Sequence, residues 1–213
     1  MKKLEFVLPN EIEKRSFAII EEELRFRNIV LPQEQAPVTK RVIHTSADFE
    51  YADTMTFSEH AVEKAKELLR GGADIVTDTN MAYAGINKKL LSHFGGEVHC
   101  FMADEKIAQM AKQRRTTRAS VSMEEAAKIE KPLLFAVGNA PTALVSLYEM
   151  IERGMFTPSF VIGVPVGFVN VEAAKELMME TGVPYIVNRG RKGGSNIAAA
   201  ICNAILYELE KEL

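Results

Sequence analysis

From about residue 72 onward the chain alternates short apolar runs with longer stretches of helical periodicity. The runs are DIVTDT (74–79), EVHCFM (97–102), LLFAVG (133–138), SFVIGVPVG (159–167) and PYIVNRG (184–190), each about the length of a strand. The last four are continuous or nearly so rather than alternating, as strands covered on both faces require. Between the runs, MAYAGINKKLLSHF (81–94) stops at Gly95-Gly96, and DEKIAQMAKQRR (104–115) passes from acid to base as the helix dipole prefers. APTALVSLYEMIERG (140–154) has Pro141 in its first turn and Gly154 past its end. VEAAKELMMETG (171–182) and SNIAAAICNAILYELEKEL (195–213) complete these helices.

Strands alternating with helices imply right-handed crossovers and a parallel sheet between two helix layers. The expected fold is a three-layer α/β/α, flavodoxin-like, doubly wound sheet of about five strands with extra N-terminal helices. Those helices lie in the first seventy residues. Asn10 and Glu13 have the spacing of a capping box opening a helix over 11–28. VTKRVIHT (38–45) reads as a strand or a short helix, and SEHAVEKAKELLRGG (58–72) as a helix capped by Ser58. One domain over 1–213 is expected, with residues 1–72 flanking a sheet core at 73–213.

Composition narrows the partners. With 47% hydrophobic and 26% charged residues in 213, the chain is an ordinary globular one, not a disordered or fibrous one. A net charge of -3 does not suit a general polyanion binder, so nucleic acid is not an expected partner. An anionic ligand has to meet a local basic patch. Cys100 and Cys202 lie far apart with no CxxC, which supports neither a disulfide framework nor a zinc knuckle. The opening MKKLEFVLPNE holds too short an apolar stretch for a signal peptide, and FVIGVPVGFV (160–169) is half a membrane span. No membrane association and a cytoplasmic location are expected.

Ligands of open parallel sheets bind beyond the carboxyl ends of the strands. Gly138-Asn139-Ala140-Pro141-Thr142-Ala143 follows one strand and opens a helix whose free N–H groups would favour a carboxylate or phosphate; ordinary turn and cap chemistry is the alternative. Arg189-Gly190-Arg191-Lys192-Gly193-Gly194-Ser195 follows another strand, and three cations among three glycines at a helix start suit anions; a solvated basic turn is the alternative. Arg114, Arg115 and Arg118 form a further cluster whose ordinary reading is solvated charge at a helix end; of the three, Arg118, set apart beyond Thr116-Thr117, is the candidate ligand contact. Of the four histidines, His60 and His93 read as surface residues and His99 as packed core. His44, in Lys40-Arg41-Val42-Ile43-His44-Thr45 with Asp48 four residues on, is the candidate proton donor or acceptor. There is no G-x-S-x-G, no HExxH, no metal-ligand spacing and no G-x-G-x-x-G after the first strand.

Taken in order, these segments resemble the precorrin-8X methylmutase family of corrin-ring biosynthesis. The resemblance runs through Arg15-Ser16-Phe17, Arg41-Val42-Ile43-His44-Thr45 with Asp48-Phe49, Asp78-Thr79-Asn80-Met81, Gly85-Ile86 and Thr117-Arg118-Ala119. It is strongest in Gly138–Leu144, Gly163–Val169 and Gly190–Ser195. It implies an isomerase that moves a methyl group from carbon 11 to carbon 12 of precorrin-8X or cobalt-precorrin-8, giving hydrogenobyrinic or cobyrinic acid. It also implies a homodimer and no dissociable cofactor or bound metal. His44 is carried over as the catalytic acid/base. Arg15, Ser16, Arg41, Thr45, Arg118, Gly138, Asn139, Ala140, Thr142, Arg189, Arg191, Lys192, Gly193 and Ser195 are carried over as substrate contacts. Two other readings stay open on the residues alone: a phosphate- or nucleotide-binding transferase on the same fold, and a non-catalytic tetrapyrrole carrier.

Overall fold

The computed structural model describes residues 6–213; the first five, part of the stretch read above as no leader, lie outside the described residues. After a 3-10 turn at Pro9–Glu11 come α1 (Ile12–Phe26), α2 (Ala36–Ser46), α3 (Tyr51–Thr54), β1 (Met55–Phe57) and α4 (Ala61–Arg70). Then follow β2 (Asp74–Thr77), α5 (Asn80–Gly85), α6 (Lys88–His93), β3 (Val98–His99), α7 (Glu105–Arg114) and α8 (Arg118–Ala126). The chain ends with β4 (Leu133–Val137), α9 (Pro141–Glu152), β5 (Phe160–Gly163), α10 (Val171–Glu180), β6 (Tyr185–Asn188) and α11 (Ser195–Glu210).

The sheet order is β1-β6-β5-β4-β2-β3. β2 to β6 are mutually parallel, and their order reverses between β2 and β4, the switch point at which such sheets bind ligands. The apolar runs are buried on both faces because successive side chains enter different cores. Ile75, Leu134, Ala136, Phe160 and Ile162 pack with α2, α4, α6 and α11, whereas Val76, Leu133, Phe135, Val137 and Val161 pack with α8, α9 and α10.

Four expectations about the elements and their caps need correction. The sheet has a sixth strand among the described residues, because β1 pairs antiparallel with β6, Met55 opposite Asn188. The helix expected over 81–94 is two, since the turn at Gly85–Asn87 is held from α11: Asn203 accepts from Asn87 N–H at 2.8 Å and donates to the Gly85 carbonyl at 2.8 Å. The capping box at Asn10 and Glu13 does not form; α1 has no side-chain cap. Ser58 does not cap α4 either but accepts from the Tyr185 N–H at 2.9 Å, stitching the start of β6 to the α4 loop.

VTKRVIHT proves helical. Its β-branched residues fall at helical spacing, so that Val38, Thr39, Val42 and Ile43 form one buried face of α2 against α11. His99, expected in the core, is only half-buried and bonds Asp74 through Nε2 at 2.9 Å. Cys100 and Cys202 are both free, and burial pushes the Cys202 thiol up to about 12. No helix among the described residues is long and apolar enough to cross a membrane.

Candidate active site

The carboxyl edge of the sheet is built from four loops that lock together through backbone contacts. Gly194 N–H donates to the Val164 carbonyl at 2.9 Å, Val166 N–H to Gly138 at 3.3 Å, and Gly167 N–H to Arg191 at 3.2 Å. Two glycines are needed where backbones meet. A Cβ on Gly138 would lie 2.7 Å from the Gly194 oxygen, and one on Gly193 would lie 2.0 Å from the Val164 oxygen. The Thr79 hydroxyl donates to the Ser195 hydroxyl at 2.8 Å, closing the loop after β2 onto the start of α11.

Asp78 sits beneath this assembly, fully buried. Its carboxylate accepts from the N–H groups of Gly138, Asn139 and Ala140 at 2.9, 2.8 and 2.6 Å. Burial pushes its carboxyl above the ordinary range, with the three donors pulling the other way. The three loop N–H groups ahead of α9 thus hold the protein's own anion; the free N–H groups expected to favour a ligand anion are those of the α9 N-terminus beyond Pro141. A sequence signal existed, since an acid directly follows β2 at the switch point, but spacing alone does not reveal its three partners.

Arg118 opens α8 beside the same loop. Thr117 caps that helix and its hydroxyl meets the Thr142 hydroxyl at 2.9 Å, so Arg118 and Thr142 stand together on the edge. Arg118 is exposed and forms no ion pair among the described residues. Arg189, Arg191 and Lys192 fan out from the opposite loop. Arg191 donates to Glu172 at 2.8 Å, Arg189 lies 3.6 Å from Glu176, and Lys192 reaches Asp48 at 2.5 Å and Glu50 at 2.7 Å. The Lys192 ammonium holds the Asp48 carboxyl low, and Asp48 and Glu50 in turn hold the Lys192 ammonium high in its titration. Apolar side chains stand exposed between the cations: Met81 (69%), Phe168 (82%) and Val169 (78%), with the Arg191 guanidinium 5.7 Å from the centre of the Phe168 ring.

The Lys192 clasp brings the end of α2 to this edge. Asp48 lies four residues beyond His44, which occupies the last turn of α2. The His44 ring is half-buried and stacks on Phe17 of α1, centroids 5.2 Å apart at 14°. Thr45 is exposed beside it. Ser16 donates to the Ile12 carbonyl within α1 at 2.9 Å, and Arg15 is exposed on the same helix. Arg41 is not brought to the edge. Its guanidinium lies over Phe17 and Tyr207 and pairs with Glu13, lining a cavity of about 540 Å³ between α1, α2 and α11. Tyr207 is twelve residues from Ser195 along α11, about 18 Å at 1.5 Å per residue. Among the described residues no group of three or more His, Cys, Asp or Glu could hold a metal ion.

The sequence profile of the precorrin-8X methylmutase family matches residues 11–208. The chain belongs to that family. A cobalt-precorrin-8 methylmutase of Salmonella typhimurium is 43% identical over 95% of this chain and 97% of its own. One from Priestia megaterium is 42% identical over 93% and 88%. The crystal structure of the precorrin-8X methyl mutase of Thermus thermophilus superposes with a TM-score of 0.84 at 36% identity, covering 95% of this chain and 98% of that one. As a methylmutase the protein is an isomerase enzyme of the α/β class. Its fold and the loops locked along the sheet edge are those of a methylmutase chain, and the residues on that edge carry the argument below.

Proposed function

We propose that this methylmutase moves the methyl group on carbon 11 of precorrin-8X, or of cobalt-precorrin-8, to carbon 12, with His44 lending a proton. Corrin-ring and cobalamin biosynthesis is the pathway named by the family, and the cytoplasm is the compartment we assign. The substrate is a flat apolar macrocycle with acetate and propionate arms around its rim. It calls for apolar walls and scattered cations, not for a net-basic protein. The observation that carries the reading is the edge itself, where exposed Met81, Phe168 and Val169 alternate with Arg118, Arg189, Arg191 and Lys192.

The shift breaks one carbon–carbon bond and makes another, with no change in composition. Protonation of the ring by His44 alters its conjugation so that the methyl group can migrate, and the imidazole recovers the proton afterwards. What supports His44 is its partly exposed ring, held flat against Phe17 on the corner that Lys192 ties to the edge. Asp48 and Thr45 flank it as orienters. A second copy of the chain is the partner we propose, supported by the apolar stripe Ile12, Ile19 and Phe26 on the outer face of α1; sedimentation velocity checks it by reading twice the 23.7 kDa mass.

Mixing the purified protein with precorrin-8X or its cobalt form tests the activity. The visible spectrum is expected to convert to that of the corrin product; binding without conversion would instead favour a carrier. In the same assay Arg118→Ala is expected to raise KM roughly tenfold with kcat little changed, as loss of uniform binding does, whereas Lys192→Ala, which also unties the corner carrying His44, is expected to raise KM and to lower kcat. The KM of the unaltered protein should rise with salt, since exposed charges are screened within about 10 Å at 0.1 M. A salt-independent KM would remove rim recognition from the account.

A further inference from the structure

Helix α10 turns three charged residues, spaced i, i+3 and i+4, toward the basic loop at 189–192. The outer two, Glu172 and Glu176, face Arg191 and Arg189 in exposed pairs that a ligand carboxylate could replace. The middle one is different. Lys175 has no exposed surface, and its ammonium donates to the Gly190 carbonyl at 2.7 Å and the Lys192 carbonyl at 2.9 Å. Asn188 completes the arrangement, donating to the same Lys192 carbonyl at 2.9 Å and to Arg189 at 3.1 Å, while its own oxygen accepts from Thr54 at 2.7 Å.

A buried ammonium beneath a loop that already carries three cations is electrostatically unfavourable. An apolar side chain of the same length would avoid the desolvation of the charge but would leave the Gly190 carbonyl without this donor. Burial brings the Lys175 amine down to about 8, with Glu172 opposing the shift. Its acceptors are the loop's own backbone carbonyls, which no ligand can exchange. Drawing those carbonyls inward fixes the turn through Gly190, whose φ is +74°, and leaves the side chains of Arg189, Arg191 and Lys192 on the outer side.

We infer that Lys175 is a positioning residue for substrate binding: it sets the shape of the 189–192 loop before the ligand arrives, so that the loop's cations meet the carboxylate arms without reordering. The inference rests on the reading of that loop as an arm-binding loop. Lys175→Met keeps the length and removes the donors. It is expected to fold with a somewhat lower thermal midpoint, because the Gly190 carbonyl loses its Lys175 donor, to raise KM roughly tenfold, and to leave kcat at saturation within about threefold. A purely structural lysine would lower the midpoint and leave KM alone. Arg191→Ala and Lys192→Ala run beside it. If they raise KM and a folded Lys175→Met does not, the inference about Lys175 is overturned; if none of the three raises KM, the arm-binding reading of the loop is what fails. Should Lys175→Met not fold, Lys175→Gln, which keeps a donor without the charge, carries the same measurement, and failure of both to fold overturns the inference.

Discussion

His44→Ala is expected to fold, to bind the tetrapyrrole, and to turn over about 10²–10⁴-fold more slowly than the unaltered enzyme, the usual worth of a positioned general acid. The ring is half-buried and contacts Phe17 mainly through stacking. Its removal exposes one aromatic face and should lower stability by only about 1 kcal/mol, the order of one aromatic contact. A large loss of turnover with a small loss of stability is therefore the signature of a chemical role. Single-turnover absorbance at saturating enzyme separates the step on the ring from binding. Near-normal turnover would remove His44 from the mechanism and leave the edge as a binding surface alone.

Asp78→Ala is expected to be the most destabilising single change on this edge. Among the described residues the carboxylate is the acceptor for the N–H groups of Gly138, Asn139 and Ala140, and it lies in the interior. Each donor left unsatisfied costs about 1–3 kcal/mol, so the loss should reach about 3–5 kcal/mol. In a chain of this size that corresponds to a thermal midpoint lower by roughly 10 °C. Asp78→Asn should recover only part of it, because an amide offers one acceptor oxygen and turns its own N–H groups toward the remaining donors. Activity should fall further than stability, since the released loop packs against Gly194 and Ser195. A midpoint within about 3 °C of the unaltered protein would show that water or a rearranged loop replaces the carboxylate.

Much of this architecture is legible in residue order. Continuous apolar runs such as LLFAV require cover on both faces, and the alternation with helical periods dictates parallel strands; both are local patterns that a reader can count. The basic glycine-rich loop is legible for the same reason, because three cations in seven residues have few local uses. β1 is not legible. Three half-buried residues carry no periodicity, and they form a strand only because β6 offers an unpaired edge. The break at Gly85–Asn87 is equally hidden, since the groups that satisfy it belong to Asn203, over a hundred residues away.

The amino-acid order by itself determined the class of fold and the loops that carry cations, because periodicity, turn chemistry and charge density are properties of neighbours in the chain; the family was legible only as a resemblance of its motifs, and His44 as the candidate that resemblance singles out. Tertiary structure alone decided which of those groups are already occupied. It gave the N–H groups after β4 to Asp78, sent Arg41 into the groove beside Tyr207, clasped Lys192 with Asp48 and Glu50, and set Lys175 under the basic loop. The physical reason is that hydrogen-bond and ion-pair partners are chosen by proximity in space, and burial, which fixes what each pairing is worth, exists only after the chain has folded.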